Sequence, residues 1–243
     1  MTKMYEAGDH ILICTGYPDP AEHCHRAAHI IVSMGNKMKA GVGGKEFFCR
    51  GIRIPSGVSH HIETDGEPVL VFLYDCTTAV AKQIREVSCL SEEVCDRIKE
   101  LYLEFEKKNT PREYTLFEES SLKQLGLAKG ASCVTDERIF TAIRRIRTMP
   151  SEKISCREMA GTVFLSQSRF AHLFREQTGM TFAAYLIYQR LICAYTAVLR
   201  GKTITDAALE AGFSGSAHFA DINRRVFGLS ARNITKDLIF AKV

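Results

Sequence analysis

Four histidines stand in a pattern that could bind a metal or a polar ligand. They lie in His23-Cys-His25-Arg-Ala-Ala-His29 and at the end of Ile54-Pro-Ser-Gly57-Val-Ser-His60. On an extended strand, side chains alternate between faces, so positions 23, 25 and 29 share one side. Cys24 has the opposite parity, and so has His61 beside His60. Three or four imidazoles suit Zn, Ni, Cu or Fe. The candidate ligands are therefore His23, His25, His29 and His60. No carboxylate joins the pattern; Glu22 and Glu63 only neighbour it. His10 stands alone and receives no role.

Short strands must position these residues. HILIC, HIIVSM, FFCRGIRI and PVLVFLYD are rich in β-branched and aromatic residues. The stretches GYPDP, GNKMKAGVGGKE, IPSG and TDGEP separate them as turns. A small all-β barrel or sandwich over residues 10–80 follows. With the histidines added, the segment resembles the cupin barrel: H-x-H, a third ligand about four residues on, then P-x-G-x-x-H. In metal cupins the third ligand is usually glutamate, where this chain has His29. Sensor barrels of this kind also hold organic effectors, or keep their histidines for structure alone. The three readings stay open here. A fourth is a metal-dependent cupin enzyme with a helical appendage. It would need an acid or base among the ligands, and the motif supplies none.

Residues 81–108 change to helical period. Val94, Ile98, Leu101 and Phe105 are spaced as the apolar seam of a coiled coil, flanked by charge. The helix over 92–105 is expected either to pair with a second copy, making a homodimer, or to pack on its own barrel. Residues 107–135 are polar and broken by Pro and Gly. They predict a linker with a short helix near Ser121–Leu127.

From Asp136 the chain predicts helices almost to its end, and its message is given twice. Ser155-Cys-Arg-Glu158 is a capping box, opening a short helix. Ser166 caps a second helix that stops at Gly179. After a shift of 48 residues, Thr203-Ile-Thr-Asp206 repeats the cap, with Asp in the Glu role. Ala208 then matches Ala160, Phe219 matches Phe170, Ile222 matches Leu173, and Arg224 matches Arg175. Short helix, turn and second short helix make a helix-turn-helix, whose second helix fits the DNA major groove. The polar face of the first such helix carries Gln167, Ser168, Ala171, His172 and Arg175; Phe170, Leu173 and Phe174 should face the core. Between the copies runs TFAAYLIYQRLICAYTAVLRG, with Thr181 as cap and Gly201 as stop. About 19 helical residues span roughly 28 Å. That separation suits two reading helices about one DNA turn apart, on the order of 34 Å.

FLSQSRFAHLFREQTGMTFAAYLIYQRL and ITDAALEAGFSGSAHFADINRRVFGLS resemble the AraC/XylS family of bacterial transcription regulators, over about residues 136–233. The resemblance implies two helix-turn-helix units joined by a long helix, often behind a cupin-like sensor barrel. It implies base contacts at Ser168, Ala171 and His172, and at Ser216, Ala217, Ala220 and Asp221. Arg169, Arg175, Arg224 and Arg225 are the phosphate candidates. The chain departs from the family at four places. Asn223 replaces a core phenylalanine, and an unsatisfied buried amide would cost about 1–3 kcal/mol. Asp221 stands where arginine is usual, Phe164 fills a turn position that favours glycine, and Ala231 replaces a proline. The first unit is therefore expected to dominate affinity.

Charge agrees with this division. From Asp136 onward 16 Lys+Arg face 9 Asp+Glu, a balance of +7; the remainder balances at −3. The basic half is where a polyanion would bind. No long apolar run suggests a membrane span, and the start lacks a signal-peptide pattern. Nine unpatterned cysteines predict reduced thiols and a cytoplasmic protein. The expectation is a two-domain α+β chain. Residues 1–80 form a cupin-like sensor barrel, 81–135 a helical extension and linker, and 136–243 an all-α DNA-binding domain. Its helix-turn-helix units lie at 155–179 and 203–228. The partners are double-stranded DNA and a small-molecule or metal effector.

Overall fold

The computed structural model describes all residues except 1, 8–9, 17–18, 25–26, 131–132, 228–237 and 243. It divides into two compact units. One comprises Met1–Ala131 with Lys236–Val243, and the other Ser132–Thr235.

The first unit is built on two sheets. The larger has the order β10-β7-β4-β9-β2-β1-β11. Its strands are β1 (Thr2–Glu6), β2 (His10–Thr15), β4 (Ala28–Ser33), β7 (Gly51–Ile54), β9 (Val69–Tyr74), β10 (Ser88–Cys89) and β11 (Leu238–Lys242). The smaller has the order β3-β8-β5-β6, from β3 (Asp19–His23), β5 (Met38–Val42), β6 (Lys45–Cys49) and β8 (His60–Glu63). The sheets share a layered, cupin-like arrangement without closing into a full barrel.

Alternation divides the larger sheet between two cores. Ile31, Ile52, Ile54 and Val69 pack with Met38, Ala40, Val42 and Ile62 of the smaller sheet. Ile30, Val32, Leu70 and Phe72, on the opposite face, pack with Ile98, Tyr102, Phe105, Tyr114 and Phe117. The latter five lie on α2 (Glu92–Lys108) and α3 (Pro111–Gln124); the short α1 (Ala79–Gln83) precedes them.

One of two alternatives is met here and three expectations change. Of the α2 seam, Ile98 and Phe105 are buried against the sheet and α3 with Cys95 and Tyr102 beside them, and Val94 and Leu101 are partly buried. The helix thus packs on its own unit, one of the two arrangements expected for it. The broken linker contains the whole of α3. Thr110 accepts a hydrogen bond from the Glu113 N–H, and Pro111 occupies the first turn. There proline starts a helix, because its missing N–H would have had no partner anyway. GNKMKAGVGGKE contains β5 as well as a tight turn, whose Gly43 and Gly44 have φ of 58° and 77°. Finally, the segment expected to close the helical domain contributes β11 to the first unit.

The second unit holds α4 (Glu137–Thr148), α5 (Cys156–Thr162), α6 (Gln167–Thr178), α7 (Phe182–Leu199), α8 (Ile204–Glu210) and α9 (Ser216–Phe227). Every expected cap from Ser155 to Thr203 is present. Ser155 and Glu158 exchange both capping bonds, at 3.1 and 2.8 Å. Ser166, Thr181 and Thr203 each accept a bond from the N–H three residues on. Asp206 is too short to return the bond to the backbone; it accepts from the Thr203 hydroxyl instead, at 2.6 Å.

Candidate nucleic-acid interface

The duplicated sequence becomes a duplicated core. Phe170 and Phe219 are both fully buried, as are Ala160 and Ala208. Around Phe170, the rings of Phe174, Phe182 and Tyr185 stack edge to face at 5.6–5.8 Å. Around Phe219 stand Phe213 at 5.4 Å and Tyr195 at 5.8 Å. These aromatic clusters clamp α6 and α9 onto the long α7 and leave their polar faces outward. Gln167, Ser168, Arg169, Ala171, His172 and Arg175 are exposed on α6. Ala217, Ala220, Asp221, Arg224 and Arg225 are exposed on α9, and Ser216 is half-buried. Helix periodicity thus brings the candidates of each unit onto one face.

Asn223 is where the repeat breaks, and the break is repaired. The side chain is fully buried at the position of Phe174, and its amide oxygen accepts a hydrogen bond from the Tyr195 hydroxyl. The penalty expected for an orphaned amide therefore does not fall on the second unit. Asp221 is also accounted for, since Arg225 lies 2.9 Å away one turn on. His218 serves its own turn: its Nδ1 lies 3.0 Å from the Ser214 hydroxyl and accepts the Ser214 N–H at 3.3 Å. Phe164 does depart from comfort. It has φ of 57° and is 96% exposed. Its counterpart Gly212 takes φ of 86° with no Cβ to clash.

Several basic and polar residues turn out to hold the unit together. Arg145 pairs with Glu152 at 2.6 Å, which pulls the carboxyl below its usual range. Arg147 donates to the Tyr185 hydroxyl, and Arg190 to the carbonyls of Pro150 and Glu152. Gln177, on the polar face in sequence, accepts the N–H of Thr135 at 2.8 Å and so anchors the entry to α4. Nothing in a helical repeat marks such residues, because their partners are remote in sequence.

In the first unit, three of the four histidines converge. The His60 ring lies 4.5 Å from those of both His23 and His29. His25 lies outside the described residues. The Val58 carbonyl accepts a hydrogen bond from His60 Nδ1 at 2.9 Å, and burial lowers the pKa to about 4, keeping the ring neutral at pH 7. The nearby carboxylates are engaged elsewhere: Glu22 accepts from Ser59 at 2.7 Å, and Glu63 stands 3.8 Å from His61. Among the described residues no group of three or more His, Cys, Asp or Glu is arranged to hold a metal ion. The three rings cluster, but their nitrogens do not form a donor set. All nine cysteines are free thiols. His10, unassigned in sequence, is buried between the rings of Tyr74 and Tyr114. Its Nε2 lies 2.7 Å from the Tyr114 hydroxyl and its Nδ1 3.6 Å from Glu118. Only the folding of α3 onto the sheet makes that network.

Comparison with known proteins agrees with the geometry. The fold and paired units define the class first: a helix-turn-helix protein, and a family model described as "Helix-turn-helix domain" matches residues 159–237. The probable transcriptional regulator LumQ of Photobacterium leiognathi is 36% identical over 80 residues, 32% of each chain. The transcriptional activator RhaS of Yersinia pestis is 26% identical over 193 residues, 76% of this chain and 66% of its own. The fold is shared with ToxT of Vibrio cholerae, solved with an unsaturated fatty acid bound. The TM-score is 0.59 at 8% identity, over 97% of this chain and 94% of that one. The chain spans about a third to two thirds of the length of the curated relatives it matches. The helix-turn-helix part of the chain is thus similar to that of transcriptional regulators, and the whole chain shares a fold with ToxT. These relatives are described as transcriptional regulators. Among the described residues no helix is long and apolar enough to cross a membrane.

Proposed function

We propose that this chain is a transcription regulator: its second unit reads double-stranded DNA, and its first unit senses a small organic effector. The observation that carries the DNA reading is the doubled helix-turn-helix, with both reading helices clamped by buried aromatic rings and both polar faces exposed. In this reading Ser168, Ala171 and His172 meet base edges from α6. Ser216, Ala217, Ala220 and Asp221 do so from α9. Gln167, Arg169, Arg175, Arg224 and Arg225 meet phosphates. With Asn223 satisfied and Asp221 paired, the second unit contributes rather than idles. The test is anisotropy titration against duplex DNA over a salt series. Affinity should fall linearly on a log–log plot as counterions are released. Salt-independent association would overturn the reading.

The effector reading rests on the first unit. His23, His29 and His60 make a neutral polar cluster at one end of an apolar two-sheet core. Such a site suits a small organic molecule with an acidic or hydrogen-bonding head. ToxT, solved with a fatty acid, shares the fold, which favours an organic ligand over a metal. Metal content of untagged protein, beside His25→Ala, tests the choice. Near-stoichiometric Zn, Ni, Cu or Fe lost in the variant would reinstate the metal sensor.

A further inference from the structure

The strand β11 follows the whole helix-turn-helix unit in sequence, yet it belongs to the other unit. It pairs with β1 over five residues, from Thr2 opposite Leu238 to Glu6 opposite Lys242. Three features mark this pairing as separable. It is the one parallel pair among the described strands; all the others are antiparallel. Parallel pairing is slightly less stable per residue. Moreover, β11 is the end strand of its sheet, held by hydrogen bonds on one side only. Without it, β1 would present a row of unpaired N–H and C=O groups, a ready acceptor for an added strand.

The topology gives the pairing a consequence. The helix-turn-helix unit leaves the first unit after Ala131 and returns to it by Lys236. With β11 seated, that unit is anchored at both ends; with β11 released, at one. The ladder also reaches the sensor cluster. Reading inward from β11, the order is β1, β2, β9 and β4, and β4 carries His29. A ligand among the histidines can favour one register or twist of that sheet over another, and so bias the end strand.

We propose that β11 is a detachable latch: seated on β1 it restrains the helix-turn-helix unit, and its release raises DNA affinity. The inference rests on the DNA-binding reading above. Its test locks and removes the strand. Glu6 and Lys242 are register partners, so Glu6→Cys with Lys242→Cys can close a disulfide across the pair. A mixed-sequence DNA duplex is the probe. The oxidised variant should bind it about tenfold more weakly than the same sample after dithiothreitol, with wild type indifferent to the treatment. Removal of residues 236–243 should tighten binding by about the same factor and speed amide hydrogen exchange at residues 2–6. Reversal by dithiothreitol separates restraint from misfolding. A mapped cross-link that leaves affinity unchanged would overturn the latch. So would unchanged exchange at 2–6 after the deletion, or cross-links that run only between two copies. If no form of the protein binds duplex, the DNA reading fails, and exchange at 2–6 still decides whether the strand is seated there.

Discussion

The pairing of Tyr195 with Asn223 predicts a specific non-additivity. Both side chains are buried, Asn223 completely, and the tyrosine hydroxyl donates to the amide oxygen. Tyr195→Phe leaves that oxygen in the core without this donor. The cost of leaving a buried polar group unmatched is about 1–3 kcal/mol. Asn223→Leu leaves the tyrosine hydroxyl without this acceptor, at a similar cost of about 1–3 kcal/mol. The double variant removes both polar partners together and keeps the Tyr195 ring position against Phe219, 5.8 Å away. Its cost should therefore be well below the sum of the two, with a coupling of about 1–2 kcal/mol. Urea unfolding followed by circular dichroism measures all four corners of the cycle. A thermal scan should show each single variant melting several degrees lower, since 1 kcal/mol shifts Tm by roughly 2–4 °C at this chain length. Additive single costs, or a Tyr195→Phe variant as stable as wild type, would refute the claim that this bond replaces the aromatic packing seen at Phe174.

Other consequences are open to direct measurement. Phe164→Gly should raise Tm, because a left-handed backbone costs a residue with a Cβ about 1–2 kcal/mol and the ring is almost wholly exposed; a lower Tm would mean that the ring packs on something in solution. Arg175→Ala should weaken binding across all duplex sequences and reduce the salt slope by about 1, whereas His172→Ala should change the sequence preference. Acid should destabilise the first unit through His60. Its folded pKa, about 4 against an ordinary 6.5, means that the unfolded chain takes up the proton first. Stability then falls as pH drops from about 6.5 to about 4, by on the order of 3 kcal/mol. The His60→Gln variant should show a flatter profile by urea unfolding.

Local signals were legible in the sequence and remote ones were not. The caps at Ser155, Ser166, Thr181 and Thr203 fall where a hydroxyl precedes a helical period, and each accepts its expected bond. The strands around Ile30 and Phe72 are legible because they carry apolar runs, as a sheet buried on both faces requires. By the same measure Met38–Val42 was hidden, since its lysine and glycine resemble a turn. Pro111 misled for a different reason: proline breaks a helix interior but suits a first turn, and only the Thr110 cap distinguishes the two. The α2 seam is a case of one pattern with two uses. A stripe of Ile98 and Phe105 fits a partner helix or a sheet equally well, and the sheet's apolar outer face decides. The reading faces of α6 and α9 follow from period alone, whereas Tyr195 opposite Asn223 required the fold.

The basic balance of the helical half overstates the charge offered to DNA. Arg145, Arg147 and Arg190 are held by Glu152, the Tyr185 hydroxyl and two backbone carbonyls. Arg138 forks onto Asp136, whose pKa falls to about 2 in consequence. Arg225 leans on Asp221. On the two helices Arg169, Arg175 and Arg224 remain, and Arg225 reaches a phosphate only by leaving Asp221. Each phosphate neutralised contributes about 0.9 to the slope of log affinity on log salt. Three such arginines contribute a slope of about −3, and backbone N–H groups at the helix starts add contacts that release fewer ions. A reading surface with so little charge must draw more of its affinity from base edges and close fit. In the proposed reading, more of the recognition then falls to the small exposed side chains Ser168, Ala171, Ala217 and Ala220.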